Sequence, residues 1–259
     1  MIDDAVRIED RPRIRQRDEV AAVAMGAYEL LFEQLDRLEP GDWEVTTECE
    51  PWTVRDIVAH LVGAAHGHAS IREGLRQALW GLRHRSEYDG SELDAMNDLQ
   101  VREHRAKSPA ALAEELRRTA PRAVRTRANL PALIGRLPIP NSPDGNAAEG
   151  MPERTTLGEL NRVIYTRDAF MHRIDIARAV GHDLVLDPNV DGRIVEDVVI
   201  EWCERHGEPV VVSLAGPAGG RFVAGNGQGE RIEMDAIEFC RALSGRVPAS
   251  GLLRHRILF

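Results

Sequence analysis

Cysteine is scarce. The 259-residue chain holds three, Cys49, Cys203 and Cys240, an odd number without C-x-x-C spacing. That excludes a disulfide-stapled secreted fold and a thiolate metal cluster, and fits a reducing compartment. Aromatics are few, at 5%. Long apolar runs are missing too, since no stretch reaches the roughly 18–20 residues a membrane-spanning helix needs. The opening MIDDAVRIEDRPRIRQ is polar and lacks the apolar centre of a secretion signal. Excess positive charge is also absent: 33 Lys and Arg stand against 42 Asp and Glu, a net charge of −9. This disfavours nonspecific binding to a nucleic-acid backbone. The expectation is a cytoplasmic protein without nucleic-acid or membrane partners.

What the chain does have is helical periodicity. The first fifteen or so residues read as loose. Apolar positions from Val20 to Leu35 then follow a helical repeat over about residues 17–38, and Pro40-Gly41 ends it. A second helix starts at Thr53, with Asp56 at capping-box spacing, and is expected to run on through LRQALW. A third follows Ser91. A fourth restarts at Ser108-Pro109, a cap followed by proline in the first turn, with an interruption expected at Pro121. Residues 130–156, rich in proline and glycine, read either as a surface excursion covering a site or as a plain long loop. Thr156 and Glu159 have capping-box spacing before a very apolar helix ending at Val180-Gly181.

After Asp183–Asn189 the character changes. One more helix covers roughly residues 190–205. VVVSLAG, RFVAG and ERIEM read as strands separated by glycine turns, and DAIEFCRALSG as a closing helix. The expected fold class is α+β: an antiparallel four-helix bundle over residues 1–183, then a small α+β domain over 184–259.

The chemistry concentrates in TRDAFMHRID. Asp168 and His172 are four residues apart, so one helical face presents a carboxylate beside an imidazole. His60, in WTVRDIVAH, shares a face with Ile57, Ala64 and Gly67 and should point inward. Together the three make a plausible zinc set with an open fourth position. Each has a plainer reading. An inward histidine is more often a hydrogen-bonded core residue, and Asp168 could bridge to Arg55. Asp175, nearly one turn past His172, could hold that imidazole or anchor Arg178. His66 and His68 read as surface or rim residues.

PWTVRDIVAHLVG and TRDAFMHRIDIARA resemble the two signatures of the mycothiol-dependent maleylpyruvate isomerase family, part of the DinB-like helical-bundle superfamily. The resemblance implies a divalent metal, usually zinc, held by histidines and a glutamate, with mycothiol as the thiol cofactor. The signature histidine falls on His60. The glutamate and histidine of the later E-x-x-x-H segment fall on Asp168 and His172, so aspartate stands where the family has glutamate. MDAIEFCRALSGR resembles the family's C-terminal domain, and the arginine implicated in activity falls on Arg246, which otherwise reads as a surface residue after a helix stop. The implied function is a metal- and mycothiol-dependent isomerase or S-transferase acting on a small electrophilic substrate. The alternatives are a noncatalytic metal-binding protein, or a small-ligand carrier if the C-terminal unit resembles sterol-carrier domains.

Overall fold

A computed structural model of the chain describes residues 5–140, 151 and 154–259. Helices α1 (Arg17–Leu35), α2 (Val54–Ala69), α3 (Ile71–His84), α4 (Glu92–His104) and α5 (Pro109–Ala128) come first, after the short strand β1 (Val6–Arg7). A four-residue helix α6 (Ala132–Gly135) leads into β2 (Pro138–Pro140), which pairs antiparallel with β3 (Arg154–Thr156). These are the ends of the long excursion. Its tip, and whether it covers a site, lie outside the described residues. A helical turn α7 (Leu157–Glu159) then passes through a π turn, Leu160–Ile164, into α8 (Tyr165–Val180).

The bundle is built from α1, α2, α5 and α8, with α4 along the flank of α2. Its apolar stripe includes Leu31, Ile57, Leu61, Leu112, Leu116 and Ile176, all completely buried. Two helix readings need correction. The second helix does not continue into LRQALW, because Ser70 adopts extended backbone (φ −144°, ψ 117°), ends α2, and caps α3 by accepting from the Glu73 amide. The chain folds back there, and a Cβ on Gly74 would lie 2.9 Å from the Gly67 carbonyl oxygen. Pro121 does not interrupt α5. Ala120, Ala123 and Val124 around it are buried against the bundle, and that packing outweighs proline's cost of about 3 kcal/mol in a helix interior.

The C-terminal unit contains α9 (Asp191–His206), β4 (Val210–Ala215), β5 (Gly220–Ala224), β6 (Glu230–Asp235) and α10 (Ala236–Ser244). The sheet order is β1-β5-β4-β6, with β4 antiparallel to β5 and parallel to β6. The segment before α1 is therefore not wholly loose: Val6 and Arg7 pair in parallel with Phe222 and Val223. A two-residue strand carries too little periodicity to be read in advance.

Helix α8 is the shared wall. Phe170, Met171 and Ile174 enter the core of the C-terminal unit, while Ala169 and Ile176 enter the bundle core. Buried charges join it to α9. Arg167 contacts Asp197 and Glu201 at 2.6 Å each, and Arg173 contacts Asp191 at 2.6 Å. Arg13 reaches the same Asp197 and Glu201 from the N-terminal segment and also binds Glu159. Glu159 thus makes no reciprocal capping box, although Thr156 Oγ1 accepts from its amide.

Candidate metal centre

The start of α2 is fixed by its cap. Thr53 Oγ1 accepts from the Asp56 amide, and the Asp56 carboxylate accepts in return from the Thr53 amide. One turn later the helix delivers His60 into the bundle, where it is buried. The segment before the cap contains a cis Glu50–Pro51 bond and places Trp52 against the His60 ring, centroids 5.0 Å apart.

On α8 the helical repeat sets residues 168, 172 and 175 on one face. His172 Nε2 lies 3.3 Å from Asp168 Oδ1, and His60 Nε2 lies 3.7 Å from Asp168 Oδ2. The two imidazoles meet edge to face with centroids 5.3 Å apart. The three residues drawn from sequence therefore converge, and Asp168 does not bridge to Arg55, which pairs with Glu44. Asp168 keeps 23% side-chain exposure against 7% for His60 and 8% for His172, so the cluster opens on its carboxylate side.

Behind His172 stands a second layer. His172 Nδ1 donates to Asp175 Oδ2 at 3.0 Å. Arg246 grips both Asp175 oxygens at 2.7 Å, and the Cys49 thiol donates to the same carboxylate at 3.2 Å. Of the two readings of Asp175, the structure selects the imidazole partner, since Arg178 pairs instead with Glu48 and Glu238. Cys49 and Trp52 were invisible as site neighbours in the sequence. Their only signal was nearness to the Thr53 cap. His66 bonds Glu115, and His68 is half-buried with its ring 3.8 Å from that of Tyr165.

The electrostatics follow the geometry. Burial raises the Asp168 carboxyl, but the facing His172 charge and the hydrogen bonds from both histidines prevail and hold it well below the usual range. Burial lowers His172, yet Asp168, helped by Asp175 and Cys49, pulls it well above the ordinary histidine value. A protonated His172 stands between Asp168 and Asp175, carboxylates that would otherwise repel one another.

The donor set fits a divalent metal. Tetrahedral zinc with ligands at about 2.0–2.2 Å places ligand atoms roughly 3.3–3.6 Å apart. The separations of 3.3 and 3.7 Å to Asp168 fall near that spacing, and all three residues offer donor atoms within 4.8 Å of one another. The Nδ1–Asp175 bond turns His172 Nε2 toward the shared centre, as a metal-bound imidazole requires. Cys49, His172 and Asp175 also lie close together, but Arg246 neutralises Asp175, and that charge disfavours a cation there.

Among the described residues no helix is long and apolar enough to cross a membrane. Residues 27–177 match the family model for the mycothiol maleylpyruvate isomerase N-terminal domain. No curated protein matches the sequence. Two solved structures share the fold with a TM-score of 0.53 each: the crystal structure of the mycothiol-dependent maleylpyruvate isomerase, at 17% identity, and that of a histidine-to-alanine mutant, at 16%. Each similarity covers 93% of this chain and 92% of the other. At that identity the structures speak for architecture alone. The family model covers more than half the sequence and takes in both histidines and the aspartate of the cluster, so the chain belongs to the mycothiol-dependent maleylpyruvate isomerase family.

Proposed function

We propose that this protein binds a divalent metal, zinc in the first instance, through His60, Asp168 and His172, and uses it with mycothiol as an isomerase or S-transferase on a small electrophilic substrate. The observation that carries the reading is the convergence of three donors from two helices, backed by a carboxylate that orients one of them. When bound, such a metal lowers the pKa of a thiol and holds it as a thiolate at neutral pH.

The chain's own residues do the rest. Asp175 keeps the proton of His172 on Nδ1 and leaves Nε2 as the donor toward the centre. Arg246 fixes Asp175 from both oxygens, which makes it a positioning residue here. The family resemblance suggests that it bears on activity, and this geometry suggests how. Trp52 covers one face of His60 and limits water there. The exposed edge of Asp168 is the approach left for thiol and substrate.

One observation favours the noncatalytic reading. Arg246 spends its fork on Asp175 and is not free to grip a substrate carboxylate. The test is metal analysis together with calorimetric titration of mycothiol into the parent, H60A, H172A and metal-stripped proteins. The expected result is stoichiometric zinc in the parent alone, with thiol binding that disappears on stripping. Equal zinc in all forms would reject the centre. Zinc without thiol binding would leave a noncatalytic metal protein.

A further inference from the structure

Beside the histidine cluster the bundle buries a positive charge that has no hydrogen-bond acceptor among the described residues. Arg127, in the last turn of α5, is 2% exposed. Its Nε and both terminal nitrogens lack an acceptor among the described residues. The other buried arginines among the described residues are handled differently: Arg13, Arg167, Arg173 and Arg241 each grip a carboxylate. A guanidinium cannot readily shed its proton to escape burial, and a buried ion without acceptors is costly even after relaxation.

Its surroundings are polar and come from every principal bundle helix. Tyr165 opens α8, with its ring 6.0 Å from the Arg127 guanidinium carbon. His68, near the end of α2, packs on that same ring and has an unpartnered buried Nδ1. Tyr28, from α1, is 2% exposed. The π turn Leu160–Ile164 immediately precedes Tyr165 and shifts it from regular helical register; such turns recur at functional sites. Arg127 lies over the Tyr165 ring and Asp168 follows Tyr165 by one turn on the same helix, so the guanidinium adjoins the candidate metal centre. Burial and the nearby Asp168 push the Tyr165 hydroxyl up to about 12, so it stays a neutral donor.

We propose that Arg127, with Tyr28 and Tyr165, is an anion subsite that takes the carboxylate of a small organic acid whose remaining atoms extend toward Asp168 and the histidines. A flat fork of donors matches a planar carboxylate bidentately. Arg246 cannot serve this purpose while it holds Asp175. The assignment deepens the proposed function by giving its substrate class a carboxylate, and its test requires neither metal nor thiol, so the two readings can fail separately.

The experiment titrates acetate, and separately inorganic phosphate at matched ionic strength, into chelator-treated full-length protein. It is read by the arginine Nε–H resonances and by the melting temperature. Acetate should shift, saturably, a resonance that is missing from R127K. It should also raise the melting temperature of the parent. R127M should weaken acetate binding at least tenfold while melting no lower than the parent without ligand, because it removes an unpaired charge. R127K, which keeps the charge and loses the fork, should bind more weakly than the parent and fold normally. Phosphate should bind more weakly than acetate. Three results would overturn the assignment: no saturable acetate binding to the parent, binding to R127M or R127K as tight as to the parent, or tighter binding of phosphate. If R127M fails to fold, R127K decides the matter on the same readings.

Discussion

His172 and Asp175, less than one helical turn apart on α8, are joined by a 3.0 Å hydrogen bond from Nδ1 to Oδ2. That bond assigns the second ring nitrogen to the cluster with Asp168. It also ties the candidate centre to the C-terminal unit, because Arg246, just after α10, holds the far side of Asp175. The candidate ligands come from the bundle alone, while the group that aims one of them is anchored outside it.

D175N should therefore weaken zinc without removing a ligand. It leaves an amide where a charged acceptor stood and strands Arg246. Loss of such an outer partner typically costs about 10–100-fold in metal affinity. Competition against a chromophoric chelator measures it, and an unchanged affinity would mean that Asp175 does not orient His172.

D168E tests whether the family's usual glutamate would serve better here. Both carboxylate oxygens already face imidazole nitrogens at 3.3 and 3.7 Å, so the shorter side chain reaches both rings as it stands. An extra methylene in that space should cost about 1–3 kcal/mol of strain, and zinc should bind roughly tenfold or more weakly. Tighter binding by D168E than by the parent would show that aspartate falls short.

Acid sensitivity should come in part from the ion network on α9. Burial raises the carboxyls of Asp197 and Glu201, but Arg167 and Arg13 overcome it and hold both below their ordinary values. The folded state thus binds these protons less readily than the unfolded chain. Their stabilisation is complete above the unfolded carboxyl range of about pH 4 and is lost as pH falls toward the depressed folded values. D197N leaves Arg13 and Arg167 short of a partner and should cost about 3–5 kcal/mol. Urea denaturation across pH 3–7 should show that loss at neutral pH and a shallower fall in acid.

G63A should loosen the flank of the bundle. A Cβ at position 63 would stand 2.6 Å from Gln100 Cβ and 2.9 Å from its Cα, and a backbone atom cannot swing aside. The same contact holds a buried chain of amides, Gln100 to Gln77 to the Gly63 carbonyl. The expected cost is about 1–3 kcal/mol, read as a lower urea midpoint.

Much of this was legible because local signals coincide with tertiary demands. Thr53 and Asp56 mark the start of α2, and their positions two turns and one turn before His60 follow from the sequence. The i, i+4 spacing of Asp168 and His172 survives intact. The break at Ser70 was missed although Ser70 and Glu73 have capping-box spacing, because the apolar repeat runs on through the turn. Pro121 was overweighted because proline's local cost is visible and the packing that offsets it is not. The grip of Arg246 on Asp175 joins residues 71 positions apart, and no periodicity records such a contact. Arg127 gave no signal at all, since an arginine in the last turn of a helix is ordinarily solvent-facing.

The first strand has a consequence for how the molecule comes into being. Val6 and Arg7 pair with Phe222 and Val223, so a strand made early in this sequence must wait for one made much later. Until then the outer edge of β5 has no neighbour, and open strand edges recruit other chains. Pairing so distant in sequence is also slow to find. The helical half can assemble during synthesis. Sealing of the sheet comes only once β5 has been made, and a bulky fusion placed directly before residue 6 would obstruct it.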